Sequence, residues 1–358
     1  MILPPPSKHT SILIVGGGLT GLALADMLVT AGRDVRVIEA RNRLGGRILT
    51  KEIDGAAFDM GPAWIWPGQP RIAALAERLG LTIFEQHSKG RLVFQAADGS
   101  IRRDLDMAPM AGSLRIAGGL QGLVDGLAAR IGPDRIQTGR RLTGIAASGQ
   151  QIAAELADGD RLLADQVVLA APPRLLEASF DFTPHLPTQA KATMRAIPTW
   201  MAGHAKVMAV YDRPFWREAG LNGDAISHLG PLAEIHDASS ADGSLGALFG
   251  FVGVPAAQRV DQQALLTAAA QQLGALFGPE AAAPRALHLE DWARDQLTAT
   301  EDDKTPPASH PDYRPLPSLQ GLWGGRLHIT SSELAPAFGG FIEGALEAAA
   351  ATASALTN

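Results

Sequence analysis

The stretch from Ser11 to Glu39 constrains this chain more than any other. Ser11–Val15 is a short aliphatic run suited to a buried parallel strand. It leads into Gly16-Gly17-Gly18-Leu19-Thr20-Gly21, then a helical pattern from Leu22 to Ala31 that stops at Gly32. Val35–Ile38 reads as a second strand, with Glu39 at its C-terminal end. Strand, glycine turn, helix, strand and acid form a dinucleotide-binding βαβ unit in its required context. Gly16 permits the tight turn, Gly18 lets backbone approach a pyrophosphate, and Gly21 lets helix and strand pack closely. Leu19 and Thr20 lie in the glycine turn, ahead of a helix whose first N–H groups face the phosphates. Glu39 is placed to accept from a ribose hydroxyl.

Composition excludes other classes. Thirty-one basic against 37 acidic side chains give a net charge of −6, which argues against a nucleic-acid partner. With no cysteine there is no disulfide, thiolate nucleophile or thiolate metal site. The nine histidines show no ligand spacing, so no metal site is expected. The start, MILPPPSKHT, has no signal-peptide pattern and reads as a stiff extended leader, and no apolar run is long enough to span a membrane. A cytoplasmic protein without a membrane anchor is expected.

Further elements follow from local pattern. Helices are expected at 71–80, 120–131 and 262–277, and a terminal one opened by Phe341. Asp98-Gly99 marks a hairpin between 92–96 and 100–103. Runs at 135–137, 142–147 and 151–156 suggest an antiparallel meander, followed by a strand at 167–170 that Pro172-Pro173 closes. Strands are also expected at 204–211, 246–252 and 327–330. The segment 305–317 is proline-rich and irregular. Glu234-Ile235-His236-Asp237 reads as a solvated loop or strand edge, and Glu301-Asp302-Asp303-Lys304 as a surface charge cluster, with Asp302 able to face a cavity.

Beyond Glu39 the chain continues Ala40-Arg41-Asn42-Arg43-Leu44-Gly45-Gly46-Arg47, a second glycine pair followed by an arginine able to grip a pyrophosphate bidentately. This Glu-Ala-Arg-x-Arg-x-Gly-Gly-Arg pattern resembles the flavin-containing monoamine oxidase family. Phe58-Asp59-Met60-Gly61-Pro62-Ala63-Trp64-Ile65 is similar to that family's flavin-lining stretch, with Pro62 in place of a second glycine. The resemblance places Leu142 at the adenine and Ala170 at the strand end beneath the cofactor. It also brings Ser332 and Glu333 to the ribityl and phosphate portion. Gly339-Gly340-Phe341-Ile342-Glu343 looks like the final motif, whose helix N-terminus points at the flavin.

Lys206, in Ala205-Lys206-Val207-Met208-Ala209-Val210-Tyr211, is a lone cation in an apolar strand. Read from the residues, it is a lysine snorkelling to water or guarding a sheet edge. The match to the family pattern implies instead a lysine that holds a water against the flavin and assists reoxidation by oxygen. Trp292 resembles a family tryptophan near the flavin ring, with a plain core tryptophan as the alternative.

The resemblance implies an α/β (mixed α+β) fold. In it, a discontinuous Rossmann-like FAD-binding domain (residues 1–75, 113–195 and 301–358) interleaves with a smaller sheet-containing substrate domain (76–112 and 196–300). The implied function is oxidation of a small-molecule amine by noncovalent FAD, with molecular oxygen as acceptor and hydrogen peroxide as product. Lys206, Phe341 and Trp292 are the implied reacting-centre residues. Two departures keep other readings open. Of the family's two aromatic positions before the flavin, one is Phe341 but the other falls near Asp302. The segment between Trp66 and Gly118 is also short, with no entrance-building insertion. A dehydrogenase of a terpenoid or tetrapyrrole-like substrate and a non-catalytic flavoprotein are the alternatives.

Overall fold

In a computed structural model, residues 9–357 are described. The proline-rich leader lies outside them. The strand His9–Val15 is almost wholly buried, as its aliphatic run requires. It pairs in parallel with Val35–Ile38 on one side and with Arg161–Leu169 on the other. Ile136–Gln137 extends this sheet in parallel beyond Val35–Ile38. It therefore does not join the meander that its sequence suggested. The meander instead comprises Leu142–Ser148, Gln151–Leu156 and Arg161–Leu169. Arg161–Leu169 is the pivot. The first half of one of its edges pairs antiparallel with the meander, and the second half pairs in parallel with Leu327–Ile329. Eight strands thus make one sheet.

Both ends of the chain meet on one face of that sheet. Leu24 and Leu28 of the helix Leu19–Thr30 share a core with Ile342, Ala345 and Ala349 of the helix Ile342–Thr357. Pro70–Arg78 and Gln121–Ile131 supply further residues to the same core. On the opposite face, Leu13, Ile38, Leu142 and Leu169 pack with Phe182 and Leu322.

A seven-stranded sheet forms the second layer, in the order Ala286–Asp291, Ala205–Tyr211, Gly246–Val252, Leu232–Asp237, Leu221–Ser227, Arg91–Gln95, Ile101–Leu105. The last two strands form the hairpin expected around Asp98-Gly99. The helix Gln262–Phe277, capped by the Asp261 side chain, covers one face with Leu265, Leu273 and Phe277. The other face carries Met208, Val210 and Phe249 against Phe58 and Met60. Glu234–Asp237 is therefore no solvated edge. His236 and Asp237 are each only 1% exposed in an interior strand. His236 is held between Asp224 and Glu234 at 2.9 and 2.8 Å. Burial alone would lower its pKa, but these two carboxylates raise it. No helix among the described residues is long and apolar enough to cross a membrane.

Trp216 anchors the second layer. It is fully buried against Tyr211, Phe215 and Phe277, and its Nε1 donates to Asp237 at 2.9 Å. Trp216→Ala should lower stability by about 3–5 kcal/mol, read as a shift in the chemical denaturation midpoint.

Candidate functional site

Between the two layers lies a cavity of about 520 Å³, within the usual size of small-molecule and cofactor sites. It is lined by every residue that the sequence assigned to cofactor or reacting centre except Gly21 and Glu333. Those two are buried behind the wall and act through it.

The glycine turn explains itself by contacts. Gly16 has φ +117, and a Cβ there would lie 2.4 Å from the Ala170 carbonyl oxygen. A Cβ on Gly21 would sit 2.0 Å from the Gly16 carbonyl oxygen, so this glycine serves packing. Gly18 differs. Its backbone is extended, and a Cβ there would meet only the Gly45 carbonyl oxygen, at 4.0 Å. No protein neighbour demands a glycine at 18, whereas a phosphate lying on the turn would. The helix Leu19–Thr30 begins here without an acidic residue or side-chain cap, so its first N–H groups remain available to an anion. The second glycine pair packs beside the first: Gly45 N donates to Gly17 O at 2.8 Å, and Gly46 has φ +60. Glu39, 4% exposed, accepts from Gly17 N at 2.7 Å and from Arg41 N at 2.8 Å. These residues fit a dinucleotide.

The arginines of the second motif are largely engaged by protein. Arg43 donates to the carbonyls of Leu44, Gly46 and Ile48 and so staples the turn. Arg41 holds Asp295 and Thr298. Arg47 pairs through both terminal nitrogens with Glu333, at 2.6 and 3.2 Å, and donates also to Ser332 and to Trp200 O. The bidentate grip expected on a pyrophosphate is thus directed at Glu333, and among the described residues the Nε–H of Arg47 has no acceptor. Burial acts to raise the pKa of Glu333, but Arg47 outweighs it and holds the carboxyl below its ordinary value. Glu333 therefore supports the wall and does not line it.

Lys206 is 3% exposed, so the snorkelling alternative fails. Its strand aligns Lys206 with Phe251 on one side and Glu290 on the other. Nζ donates to the carbonyls of Gly61 at 2.7 Å and Asp59 at 3.1 Å, and lies 4.0 Å from the Phe249 ring centroid. Burial lowers its pKa to about 7, while Asp59 acts to raise it and Arg115 to lower it further. A cation kept beside neutral carbonyls and a ring face, in the wall of a cavity, is poised between charged and neutral near neutral pH. Trp292 donates from Nε1 to Met60 O at 3.3 Å and also forms wall. Trp64 stands edge-on to His236 at 5.0 Å.

Asp302 does not reach the cavity. It lies at the surface with Arg195, whereas its neighbour Asp303 is buried and bound by Arg174 and Thr199 N. The charge cluster expected at 301–304 is therefore divided between surface and interior. There is no aromatic at 302; Phe341 stacks on His310 at 5.1 Å, and Trp200 makes an edge contact with the same imidazole at 4.6 Å. His310, Trp200 and the cavity-lining Phe251, Met110 and His204 were not singled out from sequence. Their only common signal is proximity to recognised motifs, and a contact between positions 310 and 341 leaves no local pattern.

A family model described as "Flavin containing amine oxidoreductase" matches residues 19–103 and 93–357. Its two pieces meet within the short segment between Trp66 and Gly118. Putrescine oxidase of Kocuria rosea is 26% identical, over 81% of this chain and 84% of that protein. That alignment runs over 413 positions, more than the 358 residues present here, so the relative carries segments this chain lacks. Pig amine oxidase B is 23% identical, over 96% and 85% of the two chains. Among solved structures, cyclohexylamine oxidase from Brevibacterium oxydans has TM-score 0.82 at 20% identity, covering 98% of this chain and all of that one. Putrescine oxidase bound to putrescine has TM-score 0.81 at 21% identity, covering 98% and 99%. These likenesses establish the fold.

Gly18→Ala should leave the melting temperature of the cofactor-free protein unchanged while weakening dinucleotide affinity about tenfold, or ~1.4 kcal/mol. Gly21→Ala should do the reverse, lowering the cofactor-free melting temperature by several degrees. Thermal melts and titration of the apoprotein distinguish the two.

Proposed function

The chain belongs to the flavin containing amine oxidoreductase family, and on that premise we propose that it oxidises amines with noncovalently held FAD and passes the electrons to molecular oxygen. Amine oxidation by a flavin is the family's chemistry. An amine loses a hydride from the carbon beside nitrogen and a proton, giving an imine. Oxygen takes the two electrons and two protons as hydrogen peroxide. When bound, the flavin supplies the hydride acceptor.

The observation that carries this reading is that a glycine turn built for a pyrophosphate and a buried lysine open onto one cavity. At one end, the Gly16–Gly21 turn and the start of Leu19–Thr30 hold the phosphates, Glu39 the ribose, and Leu142 the adenine. Ala40, Arg41, Gly46 and Ala170 complete that end. At the other, Gly61, Pro62, Ala63, Trp64, Trp292, Phe341 and Ile342 exclude water from the reacting atoms. Lys206 places a cation or its bound water where negative charge develops as oxygen is reduced. The seven-stranded sheet, from residues 76–112 and 196–300, forms the substrate side.

Noncovalent attachment is supported by the lack of cysteine. Acid precipitation of the holoenzyme should release all yellow colour into the supernatant. Colour kept in the pellet would overturn this and direct attention to His204, the histidine that lines the cavity.

Lys206→Met should retain FAD but slow the reaction of the reduced enzyme with oxygen by one to two orders of magnitude, about 1.4–2.7 kcal/mol in the barrier. The sign of the pH effect follows from burial. With a pKa lowered to about 7, the ammonium is present below that value and lost above it. The wild-type oxygen rate should therefore fall as pH rises from 6 to 9, and the variant's should stay flat. Stopped-flow mixing of dithionite-reduced protein with oxygenated buffer measures both. Equal rates in the two proteins would remove Lys206 from the oxygen step.

A further inference from the structure

Resting on the reading that an amine is oxidised in the cavity, we propose that His236 is a positioning residue for that site: as an imidazolium clamped between Asp224 and Glu234, it fixes the Trp64 indole in the cavity wall.

His236 does not itself line the cavity, whereas Trp64 does. Trp64 stands in the irregular stretch between the strand Ala56–Asp59 and the helix Pro70–Arg78, so no element of its own holds the indole. Contacts from the second layer place it instead. Its Nε1 donates to Gln86 Oε1 at 3.1 Å, and Gln86 Nε2 in turn donates to Asp237 O at 2.7 Å. Its ring meets His236 edge-on at 5.0 Å and Phe249 at 5.1 Å. His236 and Asp237 are consecutive in the strand Leu232–Asp237, and Phe249 aligns with His236 from the next strand. One short piece of the seven-stranded sheet therefore sets where a wall of the cavity stands.

The clamp needs the charge. A neutral imidazole donates through one nitrogen alone. His236 Nδ1 lies 2.9 Å from Asp224 and Nε2 lies 2.8 Å from Glu234, so both contacts are attractive only when both nitrogens carry protons. Asp224 makes the demand strict. Its side chain is 2% exposed, and its Oδ2 has no hydrogen-bond partner among the described residues. Loss of the proton would leave a buried carboxylate without its countercharge and turn a lone pair on Glu234. The imidazole must then shift, and the rings packed on it shift with it.

Neighbouring charges do not replace this one. Asp237 is bound by Trp216 and Arg217, and Lys206 stands over the Phe249 ring at 4.0 Å. His87 feels Asp224, but burial and Arg217 hold its pKa below the ordinary value. For His236, burial acts against the charge and the two carboxylates outweigh it. The imidazolium therefore persists above the ordinary histidine range and is lost as pH rises further.

Holoenzyme carrying 5-fluorotryptophan provides the test, because its fluorine spectrum reports each indole without turnover. The resonance lost in Trp64→Phe is that of Trp64. Between about pH 6 and 10 it should titrate with a midpoint above the ordinary histidine value. That step should vanish in His236→Gln, persist in Lys206→Met, and move down by at least about one pH unit in Asp224→Asn. Anaerobic bleaching by the fastest of benzylamine, hexylamine and putrescine then separates binding from reduction. His236→Gln should raise the apparent Kd about tenfold and leave the limiting rate of flavin reduction within about twofold. A Trp64 resonance that does not titrate, or titrates equally in His236→Gln, overturns the proposal, as does an unchanged Kd in that variant. A lowered melting temperature with resonance and Kd unmoved makes His236 purely structural and also overturns it. Where His236→Gln fails to fold, an unmoved midpoint in Asp224→Asn has the same force. If dithionite bleaches the flavin and no amine does, the amine-oxidising reading falls, while the fluorine titration still decides whether His236 places Trp64.

Discussion

The architecture depends on backbone approaching backbone where no side chain could stand. A Cβ on Gly16 would strike the Ala170 carbonyl, one on Gly21 the Gly16 carbonyl, and one on Gly61 the Arg47 carbonyl at 1.9 Å. These contacts bring three stretches of chain, near positions 16–21, 45–61 and 170, to the floor of one cavity. Side chains thick enough to separate any pair would open that floor and misplace the N–H groups of the helix that begins at Leu19. Gly18 stands apart because its space is left for something other than protein. Packing thus accounts for the other turn glycines, and ligand chemistry for this one.

Ion pairs then join regions distant in sequence to that floor. Arg47 and Glu333 are 286 positions apart, yet Glu333 has no exposed side-chain surface and takes both terminal nitrogens of Arg47. Such a pair gains little from being buried in itself, but losing either partner would strand a charge. Its effect is to fix the register between the second glycine turn and the loop ahead of the terminal helix. Arg41 with Asp295 does the same for the short turn carrying Trp292, which follows the strand Ala286–Asp291. Lys206 crosses between layers, from the seven-stranded sheet to the carbonyls of Asp59 and Gly61. Burial lowers the pKa of that ammonium to about 7, with the Asp59 carboxylate opposing the fall and Arg115 adding to it.

Where the sequence was misread, the cause was a partner out of local reach. Ile136–Gln137 has the composition of a meander strand, but the free edge of Val35–Ile38 captured it. Glu234–Asp237 looked solvated because three of its four residues are polar. It is instead part of an interior strand, and His236 is held between Glu234 of that strand and Asp224 of the neighbouring strand Leu221–Ser227. The resemblance put the second aromatic position near Asp302, but the 3-10 turn at Glu301–Lys304 carries that residue to Arg195 at the surface. The ring that meets Phe341 comes from His310, within a proline-rich segment that has no periodicity to read.

Short-range spacing was enough to establish the βαβ turn, the acid at 39, the second glycine motif and the placement of Lys206 in an apolar strand, since each is a pattern of backbone dihedral or side-chain type within about ten to thirty residues. Propensity and periodicity act over that range. The charge state of Lys206, the diversion of Arg47 from a ligand to Glu333, the withdrawal of Asp302 and the clamping of His236 between two carboxylates came only from the folded chain. Each of these depends on desolvation and on which opposite charge lies within about 4 Å, quantities that exist only after segments hundreds of residues apart have been packed together.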